Sequence, residues 1–230
     1  MRWIAVLRHI FFPSKCIFCG RVVEAGGYVC SDCKRTLPYA GGELCPRCAS
    51  SACRCHRRPP VYDRAVVPFY YERRAAEAIK RFKFGDRPQD AVGLSAFIAE
   101  RLSQADDIPM PDVIIPVPMY RKNKAERGYN QSELLAKELS RRLQIHTDFY
   151  SFQKLRPSRT QHQLSAAERR QNLSDCFAVT VPGAICGKKI LLVDDVITTG
   201  ATLDACASIL RQSGAQYIIA AAVCTTGCRK

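Results

Sequence analysis

The chain has 230 residues and a net charge of +14, with 47% apolar and 24% charged residues. That balance excludes a disordered chain and leaves room for one substantial domain and a small appendage. No run approaches the ~18 consecutive apolar residues of a membrane span, and the excess of cations favours phosphate-bearing partners.

The opening "MRWIAVLRHIFFP" is not a signal peptide, because Arg8 and His9 break its apolar run and no small-residue cleavage site follows. It reads as a short amphipathic helix ending at Pro13, with Trp3, Val6, Leu7, Ile10 and Phe11 on its buried face. Thirteen cysteines would suit a disulfide scaffold, but eight of them fall in close pairs between Cys16 and Cys55. This pattern predicts a cytoplasmic protein with reduced thiols that bind metal.

"CIFCG" and "CSDC" supply Cys16, Cys19, Cys30 and Cys33 as two C-x2-C knuckles, the arrangement that offers zinc four thiolates. Gly20 behind the first pair suits the positive φ of such a turn. "CPRC" and "CRC" add Cys45, Cys48, Cys53 and Cys55. Two structural Zn2+ ions are expected. Sequential pairing is the simplest assignment, but interleaved pairing stays open, as does replacement of one thiolate by His56. The segment is basic, with ten Lys/Arg against three Asp/Glu over residues 1–60. Such a module can hold nucleic acid, dock a protein partner or only fold. Pro59 and Pro60 mark a link, so residues 1–60 are read as an N-terminal helix plus double zinc-binding module, and 61–230 as a second domain.

Beyond the link, "RAVVPFYYE" reads as a strand, and "RRAAEAIKRF" and "QDAVGLSAFIAERLSQ" as helices. "DVIIPVP" is a short apolar strand, and Asn130 caps a helix with Leu134, Leu135, Leu139 and Leu143 on one side. "KKILLVDD" is a buried strand, "ATLDACASILRQSG" a helix closed by Gly214, and "AQYIIAAAVC" a last strand. Alternating strands and helices predict an α/β fold, a parallel sheet flanked by helices, with ligands beyond the carboxyl ends of its strands.

Asp194 and Asp195 end "ILLVDD" at that edge, and "TTGAT" follows. The turn's backbone N–H groups and the start of the next helix form an anion cradle. Thr198, Thr199 and Thr202 add hydroxyl donors, and Gly200 allows close approach. Two adjacent carboxylates suit a vicinal diol. A sugar phosphate satisfies both halves.

"ILLVDDVITTGATL" resembles the phosphoribosyl pyrophosphate (PRPP) signature of type I phosphoribosyltransferases. "KRFKFGD", "PVPMYRKNKAERGYNQ" and "RTQHQLSAAERRQNL" narrow the resemblance to the ComF/GntX family along nearly the full chain. That family joins a double C-x2-C zinc module to a phosphoribosyltransferase domain, with some members linked to DNA uptake in natural competence. The resemblance implies that residues 198–202, including Ala201, hold the 5′-phosphate, and that Asp194 and Asp195 hold the ribose hydroxyls. It implies a pyrophosphate loop at Pro116, Val117, Pro118 and Arg121, with Arg127 a further cation for the diphosphate. It also implies a mobile loop within 154–173, with Arg159, Thr160, Gln163 and Arg169 closing over the substrate.

The expected reaction is displacement of diphosphate at C1 of PRPP by a nitrogen nucleophile, with Mg2+ bridging diphosphate and ribose hydroxyls. Glu126 and Tyr129 are the acid–base candidates for the acceptor. Glutamine-dependent amination is not expected, since residues 1–60 cannot build a glutaminase domain. The competing reading is a non-catalytic PRPP or nucleotide sensor, or a competence factor that binds single-stranded DNA. The aromatic-basic runs "FYYERR" and "RFKFGDR" fit bases that stack and phosphates that pair with cations.

Overall fold

Pro68 cannot donate to a strand ladder, and it divides the first apolar run into β1 (Arg64–Val66) and β2 (Phe69–Tyr70). The computed structural model, which describes residues 13–53, 55–157 and 175–227, shows the same division in two further strands. The helix expected over residues 1–12 lies outside the described residues, as do Arg159, Thr160, Gln163 and Arg169.

In chain order, α1 (Ser31–Thr36) precedes β1 and β2, and α2 (Arg73–Phe84), α3 (Ala91–Ser103) and β3 (Val113–Pro116) follow them. Then come α4 (Arg121–Arg127), α5 (Gln131–Leu143) and the short strands β4 (Phe152–Lys154) and β5 (Phe177–Val179). The chain continues with β6 (Lys189–Val193), β7 (Val196–Ile197), α6 (Ala201–Gln212), β8 (Tyr217–Ala221) and β9 (Cys224–Thr225).

β1, β8, β6 and β3 form a parallel sheet in that order, and β2, β9 and β7 form a second one. Three strands therefore all break at one level and pair again beyond it, whereas the sequence pattern draws two of them as continuous and ends the third at Asp195. Backbone hydrogen bonds tie the break together. The Asp194 N–H donates to the Ala221 carbonyl (2.8 Å), the Ala222 N–H to Val66 (3.0 Å) and the Val223 N–H to Asp195 (3.1 Å). The two acids occupy this break, between β6 and β7, rather than a simple strand end. β4 and β5 pair antiparallel, apart from both sheets.

Side chains along the main sheet alternate between two apolar layers, as a pleated strand requires. Ile114, Leu191 and Ile219 face α2, α3 and α5, whereas Ile115, Leu192 and Ala220 face α6. Helices thus cover both faces, the arrangement expected of a parallel sheet. The Asn130 carboxamide oxygen accepts the Ser132 N–H at 3.0 Å and so caps α5. Gly214 follows the cap of α6 with a φ of 91°.

The cysteine-rich segment is not a loose appendage. Ile17, Phe18 and Leu37 share one apolar cluster with Phe69, Ile79, Phe82 and Phe97. The rings of Phe18, Phe69 and Phe97 meet edge to face with centroids 4.9–5.8 Å apart. Arg81 of α2 donates to the carbonyls of Ile17 (2.9 Å) and Phe18 (2.8 Å), clasping the first cysteine knuckle from below.

Candidate functional site

The break in the strands holds two adjacent carboxylates, Asp194 half-buried and Asp195 buried, whose surroundings differ. Asp194 Oδ1 accepts from the Ser132 hydroxyl (3.0 Å) and from the Asp195 N–H (2.9 Å). Burial, with the second carboxylate beside it, pushes the Asp194 acid up to about 7. Asp195 Oδ1 instead pairs with the ammonium of Lys83, 2.9 Å away on the last turn of α2. Lys83 and Ser132 were not singled out from the sequence. Lys83 lies in a run that carries the family resemblance, "KRFKFGD", and Ser132 directly follows another that ends at Gln131, but only tertiary contact gives them a role.

Residues 127–132 act as the hub of the site. The Tyr129 hydroxyl donates to the Phe82 carbonyl (2.7 Å), and the Asn130 amide donates to the Val117 carbonyl (3.1 Å). Gln131 reaches the carbonyls of Phe82 and Lys83 at 3.5 and 3.4 Å. One short stretch therefore fastens α2, the segment after β3 and the acid pair to each other.

Thr198 and Thr199 are exposed, and Gly200 has a φ of 75°, the left-handed conformation that glycine adopts without strain. The Ala201 N–H points back to the Thr199 hydroxyl at 3.4 Å, and Ala201 and Thr202 open α6. A turn that enters a twelve-residue helix presents N–H groups toward an anion. Buried Tyr62 packs beneath this turn, with its hydroxyl oxygen 3.3 Å from where a Gly200 side chain would begin.

Pro116 ends β3, and Val117 bonds to the Val193 carbonyl at 2.8 Å. Pro118 is half-buried beside it, and exposed Arg121 starts α4. Arg127 is at the other end of that helix, about 9 Å along its axis. It donates to Gln131 (3.2 Å) and its guanidinium stands over the Phe84 ring, 5.1 Å from the centroid. The structure thus separates Arg127 from the segment after β3 and turns it toward α2.

Of the five aromatic rings in the runs expected to stack bases, three are core. Phe69, Tyr70 and Phe82 are buried, and Tyr70 bonds to Glu43 at 2.6 Å. Tyr71 is half-buried, and Phe84 is the one ring of the five that stands open, at 75% exposure.

The cysteines gather in two sets, Cys16/Cys19/Cys30/Cys33 and Cys45/Cys48/Cys53/Cys55, each with its sulfurs within 4.8 Å of one another. Zn–S bonds of about 2.3 Å in a tetrahedron put the sulfurs roughly 3.8 Å apart. Cys19 and Cys30 are separated by 3.6 Å and Cys45 and Cys55 by 3.9 Å, so both sets fit zinc. The grouping is sequential, and His56 belongs to neither set. Arg74 of α2 donates to the Cys33 sulfur at 3.0 Å, a charge-assisted contact to a ligand atom. Among the described residues no helix is long and apolar enough to cross a membrane.

Comparison with known proteins agrees with this architecture. The double zinc ribbon domain matches residues 7–63 and the phosphoribosyl transferase domain residues 130–230. The DNA utilization protein YhgH of Escherichia coli O157:H7 is 33% identical over 93% of this chain and 98% of its own. Competence protein F of Haemophilus influenzae is 33% identical over 90% of this chain and 95% of its own. The chain belongs to the ComF/GntX family. Competence protein ComFC of Bacillus subtilis is a more distant relative, 30% identical over 81% of this chain and 79% of its own.

The fold of this ComF/GntX protein is that of a type I phosphoribosyltransferase carrying a zinc-ribbon module. The transferase match begins at residue 130, yet Lys83 and Val117 reach the acid pair and its hub from earlier in the chain.

Proposed function

We propose that this protein binds PRPP with Mg2+ and transfers its phosphoribosyl group to a nitrogen acceptor, releasing diphosphate, in the handling of DNA taken up by the cell. The observation that carries the reading is the acid pair in the strand break, next to a Thr-Thr-Gly turn that opens a helix. Asp194 and Asp195 would accept the ribose hydroxyls, and residues 198–202 would receive the 5′-phosphate. Pro116, Val117, Pro118 and Arg121 would face the diphosphate. From the segment 154–173, Arg159, Thr160, Gln163 and Arg169 are proposed to act on the same diphosphate. The cellular setting follows from the names of the relatives, DNA utilization protein and competence protein.

In this reaction the C1–O bond to diphosphate breaks as a C1–N bond forms, and the nitrogen then loses a proton. Positive charge grows on the ribose ring. Two carboxylates beneath that ring would stabilise it, which requires Asp194 to be ionised when the sugar is bound. Ser132 and the Asp195 N–H both donate to Asp194, so the charged form has partners waiting. Mg2+ would supply charge neutralisation of the diphosphate. Two zinc ions, one on each set of four cysteines, would be structural and would stand outside the chemistry.

Calorimetric titration of PRPP with Mg2+ tests the reading. Saturable binding is expected in the wild type and loss of it in the Asp194→Ala/Asp195→Ala variant. A wild-type protein that does not bind PRPP would overturn the proposal.

A further inference from the structure

The two cysteine knuckles are built alike, with one difference. In each, the residue after the second cysteine turns back onto the first. The Gly20 N–H donates to the Cys16 carbonyl (2.8 Å), and the Ala49 N–H donates to the Cys45 carbonyl (2.9 Å). Both residues have a left-handed φ, 78° at Gly20 and 52° at Ala49. Glycine takes that conformation freely, whereas alanine holds it only where its surroundings impose it. A metal on Cys45 and Cys48 imposes it at Ala49, so this knuckle needs its ion to keep its shape more than the first one does.

The strained residue is also the one that meets the sheet. Its carbonyl accepts the hydroxyl of buried Thr225 at 2.9 Å, and a side chain on Gly227 would begin 2.5 Å from the same oxygen. Thr225 lies opposite Ile197 in the β7–β9 pair. Thr226, next to it, donates from its N–H to the Ile197 carbonyl (2.9 Å) and from its hydroxyl to the Thr198 carbonyl (3.3 Å). Thr198 begins the turn assigned to the phosphate. A second route reaches the other end of that turn. Arg47, inside the knuckle, donates to the Pro60 carbonyl (3.3 Å), and the next residue, Val61, gives its N–H to the Asp204 carboxylate (2.6 Å) on the first turn of α6. Tyr62 then places its ring beneath Gly200.

We propose that occupancy of the second zinc site sets the affinity of the 198–202 turn for a sugar phosphate, with Thr225 and Tyr62 as the positioning residues that connect them. The inference rests on the PRPP reading above and adds regulation to that site. The first knuckle packs on the opposite face of the sheet, with α2 and α3, and makes none of these contacts. All four cysteines of the second set are half-buried, whereas Cys16 and Cys33 are buried, so the ion coupled to the turn is also the more accessible one.

The full-length protein carrying both zinc ions is titrated with PRPP and Mg2+ by calorimetry, beside Cys45→Ser/Cys48→Ser, Thr225→Val and Thr225→Ser. Zinc content and thermal midpoint are measured for each, and every titration is run below the midpoint, so that a loss of fold is not read as a loss of affinity. Thr225→Val keeps the side-chain shape and all eight thiolates but removes the hydroxyl that holds Ala49. Two zinc ions are expected in both Thr225 variants and one in the cysteine variant. PRPP should bind about tenfold more weakly to the cysteine variant and to Thr225→Val, within the usual span of coupling between two sites. Thr225→Ser should bind like the wild type. If the cysteine variant does not fold, the two Thr225 variants decide. If the wild type does not bind PRPP, the sugar-phosphate reading falls and the coupling falls with it. If the wild type binds and either weakened variant, folded, binds equally well, the coupling alone is overturned.

Discussion

Asp194 and Asp195 are neighbours in sequence with opposite companions. Asp194 has a hydroxyl and a backbone N–H, whereas Asp195 has the ammonium of Lys83. Burial and the second carboxylate raise the Asp194 acid to about 7. The folded state therefore holds a proton that the unfolded chain releases near the ordinary carboxylate value. Its contribution to stability is complete below about pH 4 and is lost as pH rises through about 7. Asp194→Asn keeps the Oδ1 acceptor for both donors and removes the charge. It should stabilise the ligand-free protein at pH 8 by on the order of 1–3 kcal/mol, with the gain vanishing near pH 4. Denaturant unfolding at the two pH values measures this. A pH-independent difference would mean that Asp194 is already ionised at little cost.

α2 and α3 carry the consequences of packing. The first cysteine knuckle lies against α3 so closely that a side chain on Gly93 would begin 2.8 Å from Tyr28 Cβ and 2.9 Å from Ile17 Cδ1. Alanine favours a helix interior over glycine by about 1 kcal/mol. Overpacking costs about 1–3 kcal/mol, and Tyr28 Cβ is too near its own backbone to move aside. Gly93→Ala should therefore destabilise the protein by up to about 2 kcal/mol, read as a lower thermal midpoint. A raised midpoint would show that the knuckle can shift.

Four long helices were legible because their apolar spacing is strong, whereas the short α1 and α4 were not read. Asn130 caps α5 as read, and Leu135 and Leu139 are fully buried. The common break was not legible, because Val67 and Val223 continue the apolar pattern through it in two strands and the acid pair reads as a plain strand end in the third. Nor could the sequence tell Phe82 from Phe84. They are two residues apart on α2, about 200° around the helix, so one lies in the core and the other in solvent. The contacts of Lys83 and Ser132 span 112 and 62 positions, a separation that no local pattern records.

The metal module and the sheet share one apolar core, which makes zinc a condition for the fold as a unit. Cys16 and Cys33 are buried in that core, whereas the second set of cysteines is only half-buried. Removing a structural zinc site removes folding free energy outright. Cys16→Ser/Cys19→Ser and Cys45→Ser/Cys48→Ser should each lose one zinc per chain by metal analysis. The first should lower the thermal midpoint more, and a strong chelator should unfold the chain in a single transition. A chelated protein that keeps its helical signal while losing both ions would refute this coupling.

The three edge-to-face rings of Phe18, Phe69 and Phe97 join the knuckle to the sheet. A fragment starting at residue 61 retains every residue assigned to the sugar phosphate, yet it uncovers Phe69 and Phe97 together. Contiguous apolar surface of that kind drives self-association. The zinc ribbon is thus a lid on a greasy seam as well as a module in its own right. Excising it would yield inclusion bodies rather than a minimal transferase-fold domain.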